Sequence, residues 1–381
     1  METQKPAFPR INSLDAVRGM VMVIMALDHV RDLLHVGSLT DDPTNLDTTT
    51  AALFLTRWVT HICAPTFVFL SGASAYLSLQ RNQDIRAGRR FLISRGIWLL
   101  VLEFTVVNFG IWFDMRFSIL LFEVIAAIGL GFIVLGLLLS VRPATLGIIG
   151  IAVICLHNLY PFFPLSAPGV IPIGQGTTLV IGYPPIPWIA LLLTGYCCGG
   201  FFMQSLSDRK RWFLFIGVAC LAVFTLLRWI NLYGDPQPWT PQATGLFTFL
   251  SFINVTKYPP SLLFDLLFLG LMFLFLFAAE RLEGRVSSVF TTYGRVPLFY
   301  FLLHFYIIHT ILFIVLFLQG YSPSEFEFGS RFGRPQGDNG LKLWVIYLVW
   351  IGVVLVLYPI CKWYGRYKAH NQGNIRWLRF L

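Results

Sequence analysis

Charge is scarce in this chain. Of 381 residues only 12% are Asp, Glu, Lys or Arg, against 56% hydrophobic, and the mean hydropathy is +0.70. Such a composition excludes a soluble globule, whose surface could not be covered with so few polar groups. Acids are scarcer than bases, 19 against 28, which leaves a net charge of +9. Cysteine is limited to Cys63, Cys155, Cys197, Cys198, Cys220 and Cys361, all within or beside apolar runs. They lack metal-ligand spacing and read as small core residues rather than a disulfide framework. The opening METQKPAFPRINS has no basic start, apolar centre or cleavage site of a signal peptide, so the first apolar segment is expected to be retained. No internal repeat, low-complexity linker or run of short alternating barrel strands occurs.

Long apolar runs are abundant instead. Crossing a ~30 Å hydrocarbon core takes about 20 helical residues, and ten runs qualify: 12–33, 51–80, 91–113, 117–139, 143–163, 183–204, 211–231, 259–280, 293–318 and 341–361. The expected fold is all-α, a polytopic integral membrane protein of about ten transmembrane helices with both termini cytoplasmic. In that topology the inner segments carry Lys5, Arg10, Arg18, the Arg81–Arg95 cluster, Arg142, Arg209–Arg211, Arg281, Arg285, Arg295 and the tail from Lys362. These hold 20 of the 28 Lys and Arg, leaving 8 outside, as the positive-inside rule requires. The basic balance thus reports topology and attraction to anionic lipid; the lipid bilayer is the expected partner, and no nucleic acid is.

Against this background the intramembrane polar residues stand out. Asp28 and His29 lie in the apolar stretch Met20 to Val30, just beyond Arg18. A charge in hydrocarbon costs ~2.5–3.5 kcal/mol on insertion scales, so such a pair marks a functional site by default. Helical rise places His29 about 16 Å further out than Arg18. Arg57 and His61 share one face of the second helix, four residues apart. Glu123, Lys257, Tyr258, Asp265 and His309 fall in the outer half, and His304 near the midplane; Glu103 and Asn108 add two more polar groups. Arg18 and Arg295 mark the inner end. A cavity opening outward would solvate the outer group, although any one of these residues could instead tie two helices together by a hydrogen bond.

The loops carry less information. The uncharged, Pro- and Gly-rich span from Pro161 to Trp188 is expected to lie on the membrane surface or cap the cavity. In NVTKYPPSLL, residues 254–263, Pro259 and Pro260 suit the first turn of a helix and deliver Lys257 and Tyr258 to the cavity rim. Ser322–Gly340 reads as a polar outer loop.

The segments LDAVRGMVMVIMALDH and RWVTHICAPTFVFLSGASAYL, with YPPIPWIALLLTGYCCG, NVTKYPPSLL and YGRVPLFYFLLHFYIIH, resemble the catalytic-domain family of heparan-α-glucosaminide N-acetyltransferase in its bacterial branch. The resemblance implies a family-like core over about 10–230, with helices in 255–361 completing one membrane-embedded domain and a basic tail over 362–381. It also implies transfer of an acetyl or other acyl group from acyl-CoA to an extracytoplasmic acceptor, such as an amino sugar or other envelope glycan, at the cytoplasmic membrane of a bacterium, with a homodimer possible. Arg18 and His29 are also spaced as in membrane acyltransferases that O-acylate cell-surface sugars. One departure is plain: the H-x-x-W-N-G-L stretch that carries the histidine of members close to the eukaryotic enzyme is replaced by DDPTNLDTTTAALF.

Acyl transfer from a thioester needs a base, oxyanion donors and clamps for CoA phosphates. His29 is the leading base or nucleophile, oriented by Asp28 or another acid, with His61 the alternative. His304 and Lys257 are candidates for the oxyanion, and Arg18 and Arg295 for CoA phosphates. Arg57, Glu123, Lys257, Tyr258, Asp265 and His309 are candidates for the acceptor site. No metal or haem is expected. A small-substrate transporter, which would use the same buried acids, and a bis-His haem protein are the rival readings.

Overall fold

The protein, described by a computed structural model over residues 11–159, 165–174, 176–371 and 375, is built from helices. In chain order these are α1 (Asn12–Leu34), α2 (Ala51–Thr60), α3 (Cys63–Asn82), α4 (Ile85–Leu102), α5 (Asn108–Trp112), α6 (Val124–Leu137) and α7 (Pro143–Leu156), then α8 (Pro185–Cys198), α9 (Leu206–Ile230), α10 (Gly245–Ile253), α11 (Leu262–Ala279), α12 (Gly284–Gly294), α13 (Pro297–Leu318) and α14 (Leu343–Asn371). Thr50, Asp84, Ser205, Thr244 and Ser261 each accept an amide hydrogen bond as N-caps, and Pro143, Pro185 and Pro297 sit in first turns, where no amide donor is lost. Lys5, Arg10 and the tail beyond 371, apart from residue 375, lie outside the described residues.

Among the described residues, seven helical stretches are long and apolar enough to cross a membrane: Ala51–Asn82, Ile85–Trp112, Pro185–Met203, Leu206–Ile230, Leu262–Ala279, Pro297–Leu318 and Leu343–Asn371. Two apolar helices, Val124–Leu137 and Pro143–Leu159, are shorter. Each of the ten apolar runs in the sequence thus contains a helix, but only seven meet the full length and hydropathy.

The run 51–80 is not one continuous helix. Pro65 has no amide hydrogen to give to the His61 carbonyl one turn back, and the chain breaks into a turn at His61 and Ile62 between α2 and α3. The run 117–139 opens on a strand, β1 (Ile119–Phe122), not on a helix. The span expected as a surface loop also contains strands, β2 (Gly169–Ile173) and β3 (Thr177–Ile181). They form a three-stranded sheet of order β1-β3-β2, β1 and β3 parallel with Ile119 opposite Thr178, and β2 and β3 antiparallel with Gly169 opposite Ile181. Pairing satisfies backbone groups that a bare loop would leave to water.

Helix α1 is the axis of the molecule, packed against α2, α3, α11, α12, α13 and α14. Its closest neighbour is α12. A Cβ on Gly19 would stand 1.7 Å from the Phe290 carbonyl oxygen, and one on Gly294 would stand 1.8 Å from that of Asp15. Only glycine lets these two backbones touch, the small-residue packing that membrane helices use in place of a hydrophobic driving force. Beside it, Arg209 binds Glu280 with two nitrogens, at 2.5 and 2.7 Å, and Ser13 donates to the same carboxylate at 2.6 Å, tying α1, α9 and α11 together.

Candidate functional site

The far end of α1 carries a cavity of about 80 Å³. Asp28, His29 and Asp32 enter it from α1, Arg57 and Thr60 from α2, and Cys63 and Phe67 from α3. Glu123, Tyr183, Lys257 and Tyr258 close the rest. Of the sequence candidates, Asp28, His29, Arg57, Glu123, Lys257 and Tyr258 are therefore brought together. Asp32, Thr60, Cys63 and Tyr183 were not anticipated. Asp32 could have been found from its place one helical turn beyond Asp28 and His29; Tyr183 reaches the site through the β2–β3 sheet, which left no signal in the sequence.

Local structure explains how several of these residues are held. Residues Glu103–Val107 form a π-helical turn between α4 and α5. From this turn the Glu103 carboxylate accepts the Ala126 amide at 3.0 Å, capping the start of α6 where Glu123 is the N-cap residue. Asn108, just after the turn, donates to the Glu103 and Leu121 carbonyls and accepts the Leu121 amide, holding β1 in place. Such π turns inside helices are frequent at functional sites. The loop carrying Lys257 is pinned from two sides. Arg228 donates to the carbonyls of Gln237, Ser251, Phe252 and Asn254, and Asp235 accepts from the Thr256 amide, the Thr256 hydroxyl and the Ser261 hydroxyl. Lys257, 8% exposed, places its ammonium 4.9 Å from the Tyr258 ring and 5.9 Å from the Tyr183 ring. Cation–π contact of this kind partly replaces its lost hydration.

Asp28 does not orient His29. Its carboxylate takes Arg31 at 2.9 Å and is also bound by Arg57, while Arg31 reaches Asp32 at 2.6 Å. Two guanidiniums and two carboxylates so arranged form a compact, nearly neutral network, which is how buried charges persist in an apolar surrounding. The adjacent His29 side chain turns away, as a 100° step along a helix dictates. Its ring lies against His304 at 5.0 Å and Phe305 at 4.4 Å between centroids, and it makes no hydrogen bond among the described residues. His29 is thus a half-buried imidazole facing a small polar cavity, with its ring held by packing.

His304 itself does not line the cavity. Its Nδ1–H donates to the Tyr300 carbonyl at 3.2 Å, and it serves as a wall behind His29. His61, the alternative base, is packed on Phe264 and Phe268 with ring centroids at 5.9 and 5.7 Å and is absent from the cavity lining. His309 stacks on Phe113 at 4.2 Å, and Asp265 is buried with neither carboxylate oxygen hydrogen-bonded among the described residues. None of these three lines the cavity: His61, in the turn between α2 and α3, packs on α11, and His309 and Asp265 sit on buried faces of α13 and α11.

Arg18 and Arg295 lie toward the other end of α1. Arg18 donates to the Leu70 carbonyl at 2.7 Å and to the Ser74 hydroxyl at 2.5 Å. It borders both a cavity of about 640 Å³ and one of about 740 Å³, and Arg295 lines the latter together with Arg81, Lys362, Arg366 and Lys368. The three cavities form a column along α1. Arg18, Ser74, Ser78, Asn82 and Lys368 belong to both lower ones, while Phe67, Val124 and Phe301 belong to both the 640 Å³ cavity and the His29 cavity.

The family model described as heparan-alpha-glucosaminide N-acetyltransferase, catalytic, matches residues 10–230. The chain belongs to this family. Membership implies acetyltransferase activity in an integral membrane protein and lends no support to transport. In this N-acetyltransferase family member the matched span runs from α1 through α9 and so contains Arg18, Asp28, His29, Arg57, Glu123 and Tyr183, whereas Lys257, Tyr258 and Arg295 lie beyond it. No curated protein matches the chain. For the haem reading the pair His29 and His304 does not serve, since their rings lie 5.0 Å apart between centroids and leave no room for a porphyrin between them. Among the described residues no three His, Cys, Asp or Glu side chains gather as a metal site.

Proposed function

We propose that the protein moves an acetyl or other short acyl group from acyl-CoA, held in the two lower cavities, to an acceptor that presents its hydroxyl or amine to the His29 cavity on the opposite side of the membrane. The observation that carries this reading is the column of cavities along α1, which share lining residues and run from a basic cleft at one end to the half-buried His29 imidazole at the other. The ten helical runs are taken as ten crossings with both termini cytoplasmic, an orientation supported by the bias of Lys and Arg toward the end that carries Arg18 and Arg295. The acceptor is an amino sugar or other envelope glycan, and the membrane is the cytoplasmic membrane of a bacterium.

The chemistry follows from the side chains. Arg18 and Arg295 hold CoA phosphates, which suit guanidinium forks. The thioester carbonyl passes Phe67 and Phe301 to reach His29. His29 takes the proton of the acceptor hydroxyl or amine as its oxygen or nitrogen attacks the carbonyl carbon. Lys257 and Arg57 supply positive charge for the tetrahedral oxyanion. The C–S bond then breaks, and the proton held by His29 passes to the departing CoA thiolate.

Proteoliposomes given labelled acetyl-CoA on the Arg18 side and glucosamine or an envelope glycan fraction on the other test the proposal. Labelled acceptor is expected with wild type and is expected to be lost with His29→Ala, which should remain folded in detergent. Absence of labelled product with every acceptor, or normal activity of His29→Ala, refutes it.

A further inference from the structure

The boundary between two of these cavities has a definite composition. Among the described residues, Phe67 on α3, Val124 at the first position of α6 and Phe301 on α13 are the ones common to the linings of the 640 Å³ cavity and the His29 cavity. Three separate helices therefore place an apolar ring between a large chamber and a small one. The small chamber measures about 80 Å³, roughly half the ~150 Å³ that accommodates a benzene-sized group. Phe301 is 4% exposed and Val124 7%. Phe301 is braced by Phe305 at 5.5 Å and by His304 at 5.6 Å between centroids, so the ring cannot widen without disturbing the packing behind His29.

We infer that Phe67, Val124 and Phe301 are an acyl-length selector, admitting a two- to four-carbon acyl group to His29 and refusing medium and long chains. The inference rests on the donor reading above. An acyl group leads the thioester through the ring, so its bulk beyond the carbonyl must fit the small chamber together with the attacking atom. Longer chains remain in the 640 Å³ chamber with their carbonyl short of His29. The ring also separates the thioester from the solvent that reaches the acceptor side, which limits hydrolysis between turnovers.

The test uses the full-length protein in nanodiscs with acetyl-, butyryl- and octanoyl-CoA, and hydroxylamine as a small acceptor. The reaction gives the acyl hydroxamate and CoA thiol, with the thioester C–S bond exchanged for a C–N bond. Wild type is expected to favour acetyl over octanoyl. Phe67→Ala and Phe301→Ala are expected to raise the octanoyl-to-acetyl rate ratio about tenfold or more, the scale by which methylene-sized changes discriminate in an apolar pocket. Phe67→Leu and Phe301→Leu, which keep most of the packing, should fall between and serve if an alanine variant does not fold. Acetohydroxamate formation with a ratio identical in wild type and variants overturns the selector alone. No hydroxamate from any thioester above the protein-free rate overturns the donor reading and the selector with it.

Discussion

His29 packs its imidazole against the ring of His304, 5.0 Å away between centroids, while its sequence neighbour Asp28 points into an arginine pair. The two histidines consequently have different tasks in the proposed mechanism. His29 faces the cavity and moves the proton; His304, hydrogen-bonded to Tyr300, holds the first ring in place. His304→Phe preserves that contact and is expected to keep transfer within about tenfold of wild type, whereas His29→Phe should lose the ~10²- to 10⁴-fold that a positioned base supplies. Initial rates at saturating acetyl-CoA separate the two, and equal losses would assign the proton transfer to both rings.

Asp28 is expected to matter for stability before it matters for chemistry. Asp28→Asn leaves Arg57 without a counter-charge and Arg31 with Asp32 alone, and removing one partner of such a buried pair costs ~3–5 kcal/mol. Arg57→Met combined with Asp28→Asn should cost less than the sum of the two single changes, because the stranded guanidinium is gone. Thermal unfolding in detergent measures this cycle; strict additivity would mean that Asp28 and Arg57 do not act as a pair.

Arg18 and Arg295 should affect the donor and not the chemical step. Arg18→Gln and Arg295→Gln are each expected to raise the KM for acetyl-CoA about tenfold, the scale of one lost charge-assisted hydrogen bond set, with kcat little changed. Dephospho-CoA thioesters, lacking one phosphate, should narrow the difference for whichever arginine binds that group. A fall in kcat at constant KM would move the arginine out of the donor site.

Outside the membrane, the loop after α5 carries a pH-dependent element. Burial pushes the Asp114 carboxyl up, but the Ser118 hydroxyl and the amides of Arg116 and Ser118 outweigh it and hold the group below the usual carboxylate range. A depressed folded value means that the stabilisation is complete above the ordinary carboxylate pKa and disappears as pH falls through the lower, folded one. Asp114→Asn is expected to reduce stability by ~1 kcal/mol at neutral pH. The gap to wild type should close as acid protonates Asp114, and thermal unfolding across that range measures it. A constant gap would show that packing, not charge, carries the effect.

Much of the site was legible in the chain. Asp28, His29, Arg57, Glu123, Lys257 and Tyr258 stood out because ionisable or rim-forming side chains in apolar runs are expensive, and the structure brings all six to one cavity. His61, His309 and Asp265 stood out for the same reason yet point elsewhere. Cost identifies a polar residue, but the direction in which it points depends on helix rotation, which packing sets. The strands β1, β2 and β3 were invisible because their residues read as apolar run or uncharged loop, and pairing between segments some 60 residues apart leaves no local period.

The sequence by itself determined that this is a helical membrane protein, which apolar runs form its helices, and which polar groups demand an explanation, because hydropathy and spacing are local properties of the chain. Only the tertiary structure decided that Asp28 answers to Arg31 and Arg57 and not to His29, that His304 stands behind His29, and that Phe67, Val124 and Phe301 border two cavities at once. Apart from the Asp28–Arg31 pair, which lies within α1, these are relations between helices. They arise from close packing, such as that of Gly19 on α12, which turns each helix about its axis and selects the side chains that face one another.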